Sequence, residues 1–239
     1  MTASRRQKIK GVIFDLDETI INSLGTYTEA FNRGTATFGL TPVTEERIAH
    51  CLDRGLRLGK ILLELFPSVF EEDKKRQTCE DEIRKAYLEL EGRKVVLKPG
   101  VKRILQSLKK RGIKIGIVTG RMTKGEHKWL ELRRLNIHRF VDTMVTGAEA
   151  PAKPAPDGLL KCIKELGLSP EECIFVGDSR VDVIAGKKAG VKTVAVHTGV
   201  ASKELLAEEG PDYVLADLNL LFSYLSELQK TKEETNGRV

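Results

Sequence analysis

Short apolar runs recur along the chain at residues 11–14, 113–118, 141–145, 173–176 and 191–196, and Gly/Pro punctuation separates them from segments of helical periodicity. Runs such as IGIV and IFV are apolar at every position rather than at alternate ones, which suits strands covered on both faces. Strands of that kind alternating with helices predict parallel β-strands joined by crossover helices. The expected fold is an α/β three-layer sandwich around a parallel, Rossmann-like sheet.

About a hundred residues separate the first two of these strands, far more than one crossover requires. Residues 23–38, 44–52, 56–66 and 70–91 all read as helical. Thr44 stands as an N-cap before EERIAH with acids in the first turn, and EEDKKRQTCEDEIRKAYLEL spaces its apolar residues on a charged background. This predicts a small all-helical domain, residues 23–93, inserted into a core of residues 1–22 and 94–239. Hinges are expected near 22–25 and 93–99. Further on, Ser169-Pro170-Glu171-Glu172 forms a capping-box pattern before a strand. Residues 217–228 predict a last amphipathic helix, followed by a frayed tail at 230–239.

Composition changes this picture little. A chain of 239 residues with 41% hydrophobic content can bury about 70–75% of its unfolded surface. The net charge of +6 invites a nucleic-acid reading, but Arg5, Arg6, Lys8 and Lys10 lie in a first decapeptide without an acid. That leaves only +2 on the other 229 residues. A surplus gathered on a terminal arm rather than in one stripe argues against nucleic acid as the partner. Cys51, Cys79, Cys162 and Cys173 show no CxxC or Cys/His ligand spacing, and no secretory leader precedes them, so reduced thiols in the cytoplasm are expected. No stretch approaches the ~18 apolar residues of a membrane span. A monomer or homodimer is expected.

Candidate chemistry follows the strands. Asp15 and Asp17 come at the end of the first one, and residues two apart on extended backbone face the same way. The carboxyl edge of an open α/β sheet is where ligands bind. Thr119-Gly120 ends the second strand, where a hydroxyl and closely approachable backbone N–H groups could meet an oxyanion, although such a pair also makes an ordinary turn. Lys153-Pro154-Ala155-Pro156-Asp157 places a lysine beside a restricted backbone; a solvated loop lysine is the alternative. In Gly177-Asp178-Ser179-Arg180-Val181-Asp182 the two aspartates share a face once a helix begins, although either could cap that helix.

DLDET, a strand-terminal threonine, KPAPD and GDSRVD, in this order and each behind an apolar strand, resemble the haloacid dehalogenase superfamily of phosphatases and phosphotransferases. The likeness spans residues 9–225, and the helical insert resembles that family's mobile cap. AGKKAGVKTVAVHTGVASKELL and PDYVLADLNLL are similar to the phosphoglycolate phosphatase and β-phosphoglucomutase branch. The resemblance implies that Asp15 attacks phosphorus to form an aspartyl-phosphate and that Asp17 serves as general acid and base. It further implies that Thr119, Gly120 and Lys153 hold phosphoryl oxygens. Four aspartates against one lysine, with an incoming phosphate, require a cation, and an oxygen-only site suits Mg²⁺. By the same likeness Asp15, the Asp17 carbonyl and Asp178 ligate it, with Asp182 behind them.

Two features are particular to this chain. Glu18 stands where the family most often has glycine, so its backbone is expected in the αR or β region. Arg54, Arg57 and Lys60 could meet a second anionic group on the substrate or form a solvated basic face; Arg121 and Lys124 are weaker candidates for that duty. His50, His127, His138 and His197 read as surface or partly packed histidines, and Trp129 as a helix anchor. The function expected is a Mg²⁺-dependent phosphatase of a small phosphorylated metabolite, phosphoglycolate or a sugar phosphate. A β-phosphoglucomutase-like phosphotransferase is the alternative, and a non-catalytic nucleic-acid- or protein-binding relative is a more remote one.

Overall fold

The computed structural model of the protein describes residues 9–226. Its first strand, β1 (Gly11–Phe14), is buried at every position, as its unbroken apolar run requires. The chain then passes through β2 (Ile21–Asn22) into five helices: α1 (Leu24–Ala36), α2 (Glu45–Asp53), α3 (Leu58–Leu65), α4 (Pro67–Phe70) and α5 (Asp73–Lys94). It returns through β3 (Val96–Leu97) to α6 (Val101–Lys110), β4 (Lys114–Thr119), α7 (His127–Arg134) and β5 (Thr143–Thr146). The remaining elements are α8 (Asp157–Leu166), β6 (Cys173–Gly177), α9 (Arg180–Ala189), β7 (Lys192–Val196), α10 (Lys203–Glu208) and β8 (Tyr213–Leu215), with residues 221–226 helical at the end.

Six parallel strands form one sheet in the order β5-β4-β1-β6-β7-β8. The period of two along β1 divides its side chains between two layers. Val12 and Phe14 join Ile104, Leu105 and Leu108 of α6 on one face, while Ile13 joins Leu159, Cys162 and Ile163 of α8 on the other. The strand order runs outward from β1 in both directions, so the crevice at the carboxyl ends of β1, β4 and β6 is a topological switch point.

Helices α1–α5 pack around an apolar cluster of their own, with Phe31, Ile48, Ile61, Leu62, Phe70 and Ile83 at its centre. The passages into and out of this helical insert lie side by side, because β2 and β3 pair antiparallel, Ile21 opposite Leu97 and Asn22 opposite Val96. Thr44 caps α2 as expected, its hydroxyl accepting from the Arg47 N–H at 3.4 Å.

Several expectations shift. Residues 54–57 form a turn, so α3 starts two residues later than the pattern indicated, and α5 runs on to Lys94. The Ser169 capping box is present but closes a single 3₁₀ turn, Pro170–Glu172. The expected last helix is split: Leu218–Leu220 is 3₁₀, 221–226 is helical, and 227–228 with the tail at 230–239 lie outside the described residues. Strand β8, a run of only three apolar residues with one of them fully buried, is too short to be predicted from the pattern. Lys10 pairs with Glu172 at 2.5 Å, whereas Arg5, Arg6 and Lys8 lie outside the described residues. The four cysteines are buried and form no disulfide, and no described helix is long and apolar enough to cross a membrane.

Candidate active site

Beyond Phe14 the β1 ladder continues for one more bond, from the Asp15 N–H to the Val176 carbonyl at 2.9 Å. The chain then bends, with Ile20 and Ile21 both donating to the Leu16 carbonyl. Asp15 and Asp17 therefore rise from the same edge but are held by different partners. Across the switch point, β6 delivers Asp178 immediately before Ser179, the N-cap of α9.

Asp15, Asp178 and Asp182 converge, each offering an oxygen within 4.8 Å of the others. They are 6%, 2% and 2% exposed. Lys153 donates to Asp15 and, at 2.5 Å, to Asp182. Asp178 accepts from the Thr19 hydroxyl at 2.8 Å and the Val200 N–H at 2.9 Å. The backbone reaches Asp178 this closely because residue 199 is glycine; a Cβ there would fall 1.9 Å from Asp178 Oδ2. Asp182 fills both roles left open above: one oxygen accepts from the Ser179 N–H and hydroxyl in a capping box, and the other faces Lys153.

The electrostatics follow from three buried carboxylates facing one ammonium. Burial, reinforced by Asp182, Asp178 and Asp17, pushes the Asp15 carboxyl well above its usual range, with Lys153 opposing. Burial and the Asp182 charge push Asp178 up to about 7. Burial alone would lower the Lys153 ammonium, but Asp15 and Asp182 outweigh it and hold the proton more tightly than usual. Negative charge thus remains uncompensated in a pocket whose donors are all oxygens, which fits a hard divalent cation.

Asp17 is held separately. Burial would raise its carboxyl, yet the Arg121 guanidinium overrides this and keeps it below the usual range. Arg121 donates through Nε to Oδ2 at 2.9 Å and through Nη2 to Oδ1 at 2.8 Å, while the Ser23 hydroxyl donates to Oδ1 at 2.7 Å. Arg121 is in turn held by Glu131 and by the Tyr87 hydroxyl at 2.7 Å. Arg121, named above as a weaker candidate for a substrate anion, is instead committed to the half-buried Asp17, which it pairs with through two hydrogen bonds. Thr119 is buried beside them, its hydroxyl 3.5 Å from Asp17 Oδ2. Gly120 has open space where a Cβ would stand and no left-handed φ, so nothing steric demands glycine there.

The structure does not place the basic residues of the insert in this pocket. Arg54 is exposed and pairs with Glu64 at 2.5 Å, and Arg57 and Lys60 are exposed. What reaches the core is Asp53, 1% exposed, which accepts from the Arg180 N–H at 2.9 Å and from its Nε at 2.6 Å. The following turn lies against the Lys153 loop: Gly55 has φ +72°, and a Cβ on it would come within 3.4 Å of the Lys153 carbonyl. Lys124 and all four histidines are exposed, and Trp129 packs half-buried against the sheet cluster.

Glu18 overturns its expectation outright. Its φ is +59°, the left-handed region. Its carboxylate explains why that is tolerated, accepting from the Ser23 and Leu24 N–H groups at 2.6 and 2.7 Å and pairing with Lys98 at 2.9 Å. Sequence reasoning also missed Ser23, Tyr87 and the Asp53–Arg180 pair, and gave no role to Thr19, the last residue of DLDET. Ser23 sits where a helix cap is expected; for Tyr87 no local signal exists.

Comparison with known proteins gives the family and the fold. A family model described as haloacid dehalogenase-like hydrolase matches residues 12–196. The chain is 35% identical, over 86% of its length and 92% of the relative's, to a Clostridium perfringens (strain 13 / Type A) protein provisionally named pyrophosphatase PpaX. It is 30% identical to phosphoglycolate phosphatase of Aquifex aeolicus (strain VF5), covering 86% of this chain and 91% of that one. The crystal structure of a predicted phosphoglycolate phosphatase from Haemophilus somnus 129pt superposes with a TM-score of 0.82 at 24% identity, over 92% of this chain and 99% of the other, which establishes the fold.

Proposed function

Because the chain belongs to the haloacid dehalogenase-like hydrolase family, we propose that it is a Mg²⁺-dependent phosphatase of a small phosphorylated metabolite, working through an aspartyl-phosphate. The observation that carries this reading is the buried convergence of Asp15, Asp178 and Asp182 on one lysine. Phosphoglycolate and sugar phosphates lead as substrates, and the name of the Clostridium relative adds inorganic pyrophosphate. Four buried cysteines without a disulfide suit the cytoplasm.

Asp15, Asp178 and the Asp17 backbone carbonyl would hold the cation, with Asp182 behind them. When bound, it would offset the repulsion between an anionic nucleophile and an anionic phosphate. Lys153 holds Asp15 in place and offers its ammonium to a phosphoryl oxygen; Thr119 offers its hydroxyl. An Asp15 carboxylate oxygen attacks phosphorus, the bond from phosphorus to the leaving oxygen breaks, and that oxygen takes a proton from Asp17. Asp17 then draws a proton from the water that hydrolyses the acyl phosphate. The Arg121 clamp favours its ionised form, suited to this second half. The acid half requires the guanidinium to yield when substrate enters. Residues 23–93 act as a cap over a core of 1–22 and 94–239, closing to exclude bulk water.

A phosphate-release screen over metabolites, with and without Mg²⁺, tests the reading. Metal-dependent release is expected, with Asp15→Asn lowering it by at least about a thousandfold while the fold persists. Wild-type-like turnover in that variant would remove Asp15 as nucleophile. Isomerisation of a hexose 1-phosphate without phosphate release would identify a mutase instead.

A further inference from the structure

Glu18 takes no part in the chemistry above, yet it is 7% exposed and occupies a backbone conformation that glycine adopts freely and other residues adopt at a cost. Its carboxylate spans the two passages between core and insert. One oxygen accepts the Ser23 and Leu24 N–H groups at the start of α1, and the other pairs with Lys98, just beyond β3. The Lys98 ammonium also donates to the Thr198 carbonyl at 2.6 Å, in the loop whose Val200 N–H holds Asp178.

Ser23 is the N-cap of α1 but makes no capping bond with its own side chain. Glu18 instead accepts from the N–H groups of Ser23 itself and of Leu24, the first helical residue, donors that precede those an N-cap side chain reaches. The Ser23 hydroxyl donates to Asp17 at 2.7 Å, keeping only a longer 3.4 Å contact with Glu18.

We propose that Glu18 is a positioning residue: paired with Lys98, its carboxylate ties together the two passages to the cap and, by holding the Ser23 and Leu24 N–H groups, fixes Ser23 so that its hydroxyl aims Asp17. This rests on the proton-transfer role assigned to Asp17, so the test separates the two. Turnover of Glu18→Gly, Glu18→Gln, Ser23→Ala and Asp17→Asn is compared across phosphate esters from alkyl phosphates to p-nitrophenyl phosphate. In Glu18→Gly, kcat is expected to fall about tenfold for the poor leaving groups and little for p-nitrophenolate, with KM nearly unchanged. Its melting temperature should fall only modestly, because glycine relieves the left-handed backbone while two hydrogen bonds and the Lys98 pair are lost. Glu18→Gln, whose side-chain oxygen still accepts from Ser23 and Leu24, should retain most of kcat. Ser23→Ala removes only the hydroxyl and should reproduce the leaving-group pattern, so the proposal stays testable if Glu18→Gly folds poorly. A loss equal for all esters, or a lowered melting temperature with kcat intact, would overturn it. If Asp17→Asn itself shows no leaving-group dependence, the role of Asp17 falls and the cause is not Glu18.

Discussion

The two ends of the Asp53–Arg180 pair should not be equally expensive to remove. Asp53 is 1% exposed, whereas the Arg180 side chain keeps 25% of its surface in solvent. Arg180→Ala strands a buried carboxylate with only the backbone N–H of residue 180 for company. Losing one partner of a fully buried pair costs about 3–5 kcal/mol; partial exposure and the surviving N–H bond reduce this to roughly 2 kcal/mol. Asp53→Ala leaves a guanidinium that can turn to water, so roughly 1 kcal/mol is expected. At about 2–4 °C per kcal/mol for a chain of this size, the melting temperature should drop by about 4–8 °C and about 2–4 °C respectively. The double variant should resemble Asp53→Ala alone, giving a coupling of roughly 2 kcal/mol. Scanning calorimetry of the four proteins completes the cycle. Because the turn after Asp53 seats on the Lys153 loop, both single variants should also raise KM several-fold more than they lower kcat. Additive losses, or an Arg180→Ala protein as stable as Asp53→Ala, would refute the argument that a buried carboxylate docks the insert.

The acidic pocket makes a pH-dependent statement about the cation. A carboxyl raised from 3.8 to about 7 in the folded protein, as for Asp178, binds its proton more tightly folded than unfolded. Its contribution to stability is therefore complete below the ordinary value and lost as pH rises through about 7; Asp15, also raised, acts in the same direction. A divalent cation would bind the ionised form, so the rise in melting temperature on adding Mg²⁺ should be larger at pH 8 than at pH 5.5, and equal shifts would count against these residues as ligands. Gly199→Ala drives a methyl group into Asp178 and should abolish that Mg²⁺ response while lowering turnover about a hundredfold; a normal response would show that the loop moves aside freely.

Much of the fold was legible because its signals are local. An unbroken apolar run such as residues 11–14 has few burial solutions, and Thr44 followed by two glutamates satisfies the first N–H groups of a helix whatever packs above it. The ends of β1 and β6 likewise carried Asp15 and Asp178 to the same edge, since parallel strands in register share one carboxyl end. Weak signals failed: β8 and the β2–β3 pair are too short for a pattern, and the spacing of Arg54, Arg57 and Lys60 suited a helical face that the turn at 54–57 does not form.

The sequence by itself determined the alternation of strands and helices, the long helical insert, and the order in which acids, hydroxyl and lysine reach the sheet edge. Only the tertiary structure decided who pairs with whom. Arg121 meets Asp17 across 104 residues and Arg180 meets Asp53 across 127. The partner of a buried charge is set by which loops the packed layers bring together and by which opposite charge is left there to neutralise. No window of local sequence holds that information, and the left-handed backbone of Glu18 is intelligible only once Ser23, Leu24 and Lys98 stand around its carboxylate.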